Sequence, residues 1–139
     1  MTGKTVDQLK VGDAASVSRT ISEADVYSFA GIIGDLNPLH TDEVTASQSV
    51  FGKRVAHGML TASLLSGVIA HQLPGFGTIF LGLTVKFKKP VFFGDTVTAR
   101  VEVSNIRAEK RIVTLACTCV NQDGDKVLDG EATVMAPAE

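Results

Sequence analysis

The sequence predicts an α+β fold in which an antiparallel sheet wraps around one long central helix. Three observations carry that expectation. The run from Met59 to Leu73 is apolar almost all round, the mark of a helix with no wet face. After Gly77 the pattern changes to strand periodicity, with strands expected over 78–88, 96–105, 111–121 and 127–135. One more strand, 14–21, precedes the helix. One early strand, a buried helix and four late strands fit a sheet that buries its dry face around that helix.

Taken in order, Val11-Gly12-Asp13 is a turn and 14–21 a strand with partial alternation. Ser22 can cap the free backbone donors of a following helix, whose first turn carries Glu23 and Asp25 near the positive end of the dipole. That helix is expected to run to about Ile33 and to bury Val26, Phe29, Ala30 and Ile33, which recur at helical spacing. Gly34 breaks it. Pro38 lacks a backbone donor and pushes Asn37 out of the helical region, so 34–39 is expected to leave the helix as a stiff loop. Thr41-Asp42-Glu43 opens a short second helix to about Ser47, and Phe51-Gly52-Lys53-Arg54 is a loop carrying the densest early positive charge. The central helix follows His57-Gly58 and stops at Pro74-Gly75. Turns at 93–95, 108–110 and 123–125 separate the late strands, and Pro137-Ala138-Glu139 reads as a frayed end. With no internal repeat, linker or low-complexity segment, 1–139 reads as one domain.

A chain of 139 residues is long enough to bury about two thirds of its unfolded surface around one core. Its 45% hydrophobic content, beside 20% charged residues, suits a molecule that buries a face against a partner subunit. A formal charge of -2 offers no whole-molecule field for nucleic acid. No run approaches a membrane span or the apolar core of a signal peptide, so neither nucleic acid nor membrane is an expected partner and the cytoplasm is the expected location. Cys117 and Cys119 sit two apart in an alternating strand, point to the same face and are too close for an easy disulfide; they read as buried free thiols. No glycine-rich phosphate loop and no Ser or Cys nucleophile motif appears, so no cofactor and no covalent step is expected.

The side chains with most chemistry to offer lie between the first helix and the central one. Asp35 and His40 flank the Asn37-Pro38 turn, where a stiff loop can aim a carboxylate and an imidazole at one point. On the pair alone, the alternative stays open that Asp35 caps a turn and His40 is a satisfied polar residue. The backbone amide of Gly58 begins the central helix, where glycine permits close approach and the helix end adds partial positive charge. His57 reads as orienting the loop and His71 as structural. Ser66 either bonds within its own helix or faces a ligand. A metal site of Asp35, His40 and His57 is not expected, because these ligands share no spacing that one helix or hairpin enforces.

Phe29, then Gly34-Asp35-x-Asn37-Pro38-Leu39-His40, then Ala46 resembles the signature of the hydratase 2 or MaoC-like family, the (R)-specific enoyl-CoA hydratases. The match continues through Val55-Ala56-His57-Gly58-Met59-Leu60, Gly67, Leu73-Pro74-Gly75, Phe87-Lys88-Lys89-Pro90-Val91 and Gly94-Asp95, covering about 11–134 in the right order. It departs at Gly34, where some relatives carry an acid, and at Leu36, where the family has an aromatic residue. The resemblance implies the hot-dog fold, the name for the sheet-around-a-helix arrangement read above. It implies Asp35 and His40 as the catalytic pair, the Gly58 amide in the oxyanion hole, Asn37 fixing the loop and Ser66 facing the active site. The implied reaction is reversible hydration of a short to medium trans-2-enoyl-CoA, such as crotonyl-CoA, to the (R)-3-hydroxyacyl-CoA without a metal, in fatty-acid metabolism or polyhydroxyalkanoate precursor supply. Leu36, Leu65, Ile69 and Val134 are candidates for lining the acyl pocket, although each reads more readily as plain core.

Three other readings compete. The same chemistry could act on acyl carrier protein thioesters, since Lys53, Arg54, Lys86, Lys88 and Lys89 offer positive charge to either carrier. Lys53 and Arg54 read more readily as a solvated face than as a phosphate site. A thioesterase on this fold is disfavoured by the Asp-x-Asn-Pro-x-His wording, and a non-catalytic acyl-CoA-binding module by the presence of both Asp35 and His40. A sheet around one helix leaves an edge strand and an apolar flank, so a homodimer or higher homo-oligomer is expected.

Overall fold

Alternation builds the sheet. The computed structural model describes residues 2–139. Its strands are β1 (Ala14–Thr20), β2 (Ile79–Phe87), β3 (Thr96–Arg107), β4 (Ile112–Val120) and β5 (Lys126–Met135), antiparallel neighbours in the order β1-β3-β4-β5-β2. In β3 and β4 every second side chain is buried, with Ala99 opposite Cys119, Val101 opposite Cys117 and Val103 opposite Leu115. Their neighbours Thr98, Glu102, Thr114 and Thr118 take the wetter face. This is the half-buried pleat that β-branched residues favour. Cys117 and Cys119 share the dry face as free thiols, and burial pushes them up to about 11 and about 12, which keeps them protonated and inert.

The helix α4 (Gly58–His71) packs on that dry face through Ala62, Leu65, Val68 and Ile69. It is not buried all round as expected. Met59, Ser63, Ser66 and Gly67 are exposed, because the sheet covers only one side of the helix. The helix ends at His71, and Leu73 continues the core beyond it. No helix among the described residues is long and apolar enough to cross a membrane.

The segment between β1 and α4 carries three short helices, α1 (Glu23–Ile33), α2 (Pro38–Thr41) and α3 (Glu43–Ser47). At the start of α1 the Ser22 hydroxyl accepts from the Asp25 amide at 3.0 Å and the Asp25 carboxylate from the Ser22 amide at 2.9 Å. The second bond is the chief reason the Asp25 carboxyl sits below its ordinary value. The expected stripe on α1 is narrower than its spacing suggests: Val26 and Ala30 are buried, Phe29 is half-buried and Ile33 is 47% exposed, since α1 reaches beyond the sheet. Gly34 ends it in the left-handed region at φ 78°. The stiff loop is shorter than expected. Asn37 accepts from the Leu39 amide at 3.1 Å and Pro38 opens a helical turn, so His40 stands on α2 rather than in a loop. The C-terminus is also tighter than a frayed end: Pro137 is buried and the Ala136 amide donates to the Arg111 carbonyl at 2.8 Å, leaving Ala138 and Glu139 exposed.

Candidate active site

The loop from Gly34 to Asn37, the α2 turn and the first turn of α4 meet at one end of the central helix. Asp35 is anchored by one carboxylate oxygen: Oδ1 accepts from the Asn37 amide at 3.2 Å. Its other oxygen, Oδ2, lies 3.9 Å from His40 Nε2. That separation is too long for a hydrogen bond, and a water seated beside the line joining the two atoms can contact both. Asn37 thus fixes the loop twice, through its amide to Asp35 and its side chain to Leu39.

Hydrogen bonding sets the tautomers of both histidines. His40 Nδ1 lies 2.7 Å from the Val55 carbonyl, which can only accept, so Nδ1 carries the hydrogen and Nε2 of the neutral ring turns its lone pair toward Asp35. His57 Nε2 likewise donates to the Asp35 carbonyl at 3.0 Å. Its ring stacks on His40 with centroids 3.8 Å apart and meets the Phe29 edge at 5.3 Å. His57 therefore holds the Asp35 loop from below while its ring supports His40. The strand-like step before it is pinned by the Val55 amide on the Leu39 carbonyl at 3.1 Å and the Ala56 amide on the Val91 carbonyl at 2.8 Å.

Ligand atoms of Asp35, His40 and His57 lie within 4.8 Å of one another, a distance that invites a metal ion. The ring geometry resists it. Imidazoles stacked at 3.8 Å and inclined by 25° hold their in-plane lone pairs in nearly parallel, separate planes, whereas bonds of about 2.0–2.1 Å to one ion need both planes to pass through it. One nitrogen of each ring is also committed to a carbonyl. The arrangement suits proton transfer better than metal binding.

These residues border a cavity of about 470 Å³, with Asp35, His40, His57, Gly58 and Thr61 on its polar side and Phe51, Met59, Phe87 and Val127 among its apolar walls. Gly58 is the first residue of α4, and its amide has no carbonyl within the helix to bond. The site also needs glycine here for space, because a Cβ would stand 2.8 Å from the Phe87 ring. Lys88 and Lys89 edge the cavity, Lys89 paired with Asp125 at 3.5 Å. Lys53 sits 4.4 Å above the Phe92 ring.

Several candidates stand elsewhere. Leu65, Ile69 and Val134 are 0%, 2% and 0% exposed in the core between α4 and the sheet, and none borders the cavity, which lies at the end of the helix rather than beneath it. Ser66 is on the exposed side of α4, Leu36 is 66% exposed, and neither lines the cavity. Arg54 is not free for a phosphate: it bonds Glu23 at 2.6 Å, Glu43 and the Tyr27 hydroxyl, tying α1 to α3. The Arg54 bond holds the Glu23 carboxyl below the usual carboxylate range. Thr61 is a lining residue that sequence reasoning passed over; its signal was a hydroxyl three residues after Gly58 in an otherwise apolar run.

Comparison with known proteins adds a family to this geometry. Residues 8–123 match the MaoC like domain family model. The chain is 48% identical over 132 residues to the (R)-specific enoyl-CoA hydratase of Rhodospirillum rubrum, covering 95% of this chain and 91% of that one. It is 44% identical to the (R)-specific enoyl-CoA hydratase of Aeromonas caviae, covering 96% and 99%. Among solved structures, the unliganded R-hydratase PhaJ1 of Pseudomonas aeruginosa superposes with a TM-score of 0.93 at 42% identity, over 99% of this chain and 88% of that one.

Proposed function

The chain belongs to the MaoC-like domain family with the hot-dog fold, and from that premise we propose that it is an (R)-specific enoyl-CoA hydratase. Its reaction is the reversible addition of water to a trans-2-enoyl-CoA to give the (R)-3-hydroxyacyl-CoA. The observation that carries this reading is the 3.9 Å gap between Asp35 Oδ2 and His40 Nε2 at the polar end of an otherwise apolar cavity.

A water in that gap donates to both acceptors, which turns its lone pairs toward the substrate. As its oxygen bonds to C3, one proton passes to Asp35 or His40, and the electron pair of the C2=C3 bond moves onto the thioester oxygen. The Gly58 amide stabilises that charge at the helix N-terminus. The group holding the proton returns it to C2, the charge flows back from the thioester, and no further proton source is needed. Donor and acceptor act from one side, so addition is syn. Asn37 and His57 act only through the loop they hold.

The carrier and the assembly belong to the same proposal. Lys88 and Lys89 at the cavity edge suit the phosphates of coenzyme A. Phe80, Leu83 and Phe87 of the edge strand β2 pair with the buried Val134, Ala132 and Leu128, so they share the core face, yet they are 38%, 38% and 51% exposed because α4 approaches this strand only at its Gly58 end. A second copy pairing along β2 would cover them. Placement in the cytoplasm is supported by the two unpaired buried thiols.

The test is loss of the enoyl-thioester absorbance of crotonyl-CoA with purified protein, followed by chiral analysis of the product. Formation of (R)-3-hydroxybutyryl-CoA is expected. The (S) product, release of free CoA or no turnover would each contradict the reading, the second in favour of a thioesterase.

A further inference from the structure

Among the described residues, two buried side-chain polar atoms have no hydrogen-bond partner, Nδ1 of His57 and Oγ1 of Thr61. Native proteins pair nearly all such atoms, and an orphan lowers stability, so each calls for an explanation. Both residues border the same cavity, and Thr61 is only 2% exposed. A hydroxyl on a helix has an easy partner in the carbonyl four residues back. Ser63 takes it, donating to the Met59 carbonyl at 2.6 Å, while Thr61 does not.

Position explains what the free hydroxyl faces. Thr61 stands three residues after Gly58 on the same face of α4, helical side chains lean toward the N-terminus, and both residues border the cavity, which sets the buried Thr61 side chain beside the unbonded Gly58 amide. Of the two orphans only Thr61 can donate there. His57 gives its Nε2 hydrogen to the Asp35 carbonyl, so Nδ1 of the neutral ring is an acceptor.

We propose that the Thr61 hydroxyl is a second hydrogen-bond donor to the thioester oxygen of the substrate, beside the Gly58 amide, and so a further catalytic residue; this rests on the hydratase reading. When water bonds to C3 and the C2=C3 pair moves onto the thioester, both donors shorten their bonds to the charged oxygen, and they relax when C2 takes its proton. Thr61 keeps its own proton throughout. The apo protein carries an unpaired hydroxyl that the substrate satisfies.

The experiment compares wild type, Thr61→Val and Thr61→Ser for crotonyl-CoA hydration and for Tm. Thr61→Val keeps the shape and removes the donor: its kcat/KM is expected to fall by roughly 10- to 10³-fold, mainly in kcat, as for loss of one oxyanion-hole donor. Its Tm is expected to equal or exceed that of wild type, because a buried unpaired hydroxyl has been removed. Thr61→Ser retains the donor and most of the rate. A loss below tenfold in Thr61→Val, an equal loss in Thr61→Ser, or a loss that tracks a lowered Tm would overturn the inference. If wild type hydrates crotonyl-CoA and Thr61→Val matches it, this inference alone fails; if wild type turns over no enoyl thioester, the hydratase reading fails and takes this with it.

Discussion

Two stretches of the same helix face different surroundings. From Ala62 to Ile69, α4 lies on a dry sheet where every inward side chain is apolar. Around His57, Gly58 and Thr61 its first turn meets a cavity with two orphaned polar atoms, a free helix-end amide and two stacked imidazoles. The first stretch is satisfied within the chain. The second is incomplete without a ligand, and that asymmetry separates what holds the fold from what performs the chemistry.

Substitutions on the two sides should therefore fail in different ways. Leu65, 0% exposed at the centre of the dry stretch, gives the largest expected loss of stability. Leu65→Ala is expected to cost about 2–5 kcal/mol, read by denaturant unfolding, with kcat per folded molecule close to wild type. A Leu65→Ala protein of unchanged stability but altered turnover would erase the distinction.

On the other side, Gly58→Ala puts a Cβ 2.8 Å from the Phe87 ring, a flexible side chain that can turn away at the cost of the cavity wall. The expected result is roughly tenfold or more off kcat/KM with a small change in Tm, since the helix itself gains from alanine. A Gly58→Ala enzyme as active as wild type would show that the packing of Phe87 against this residue does not shape the site.

The smallest effect belongs to the brace around the site. The bond to Arg54 depresses the Glu23 carboxyl, so its contribution to stability is present above the ordinary glutamate value and is lost as pH falls through the lower folded value. The Tm difference between wild type and Arg54→Gln is expected at neutral pH and should narrow as pH falls below the ordinary glutamate value. A difference constant with pH would mean that Arg54 acts by packing on Tyr27 and Phe93 instead.

Much of this was legible in the sequence for local reasons. Alternation marked the late strands within a residue or two, Ser22 and Gly34 bracketed α1, and the Asp35 to His40 wording with Gly58 is short-range information about one loop and one helix start. What failed was direction at a distance. Leu65, Ile69 and Val134 could be read from the sequence as pocket or, more readily, as core, and only the fold places them in the core, away from the cavity at the end of the helix. Composition made Arg54 a candidate for phosphate, yet its partners Glu23 and Glu43 come from two helices that only the tertiary fold brings together. Ser66 was open between a bond within its own helix and a ligand-facing position, and the buried stripe of Thr61, Ala62, Leu65, Val68 and Ile69 leaves it on the opposite side of α4. Thr61 was hidden by the same apolar run, and only its missing partner draws it out.

The central claim is that Asp35 and His40 hold one water between them, and the most direct measurement is the hydration rate of crotonyl-CoA by Asp35→Asn beside wild type, with Tm taken on both. Asparagine keeps the shape and an acceptor for the Asn37 amide but cannot take a proton. A loss of roughly 10² or more in kcat is expected, with Tm within a few degrees because Asp35 is on an exposed loop. An Asp35→Asn enzyme that retains its turnover would contradict the claim.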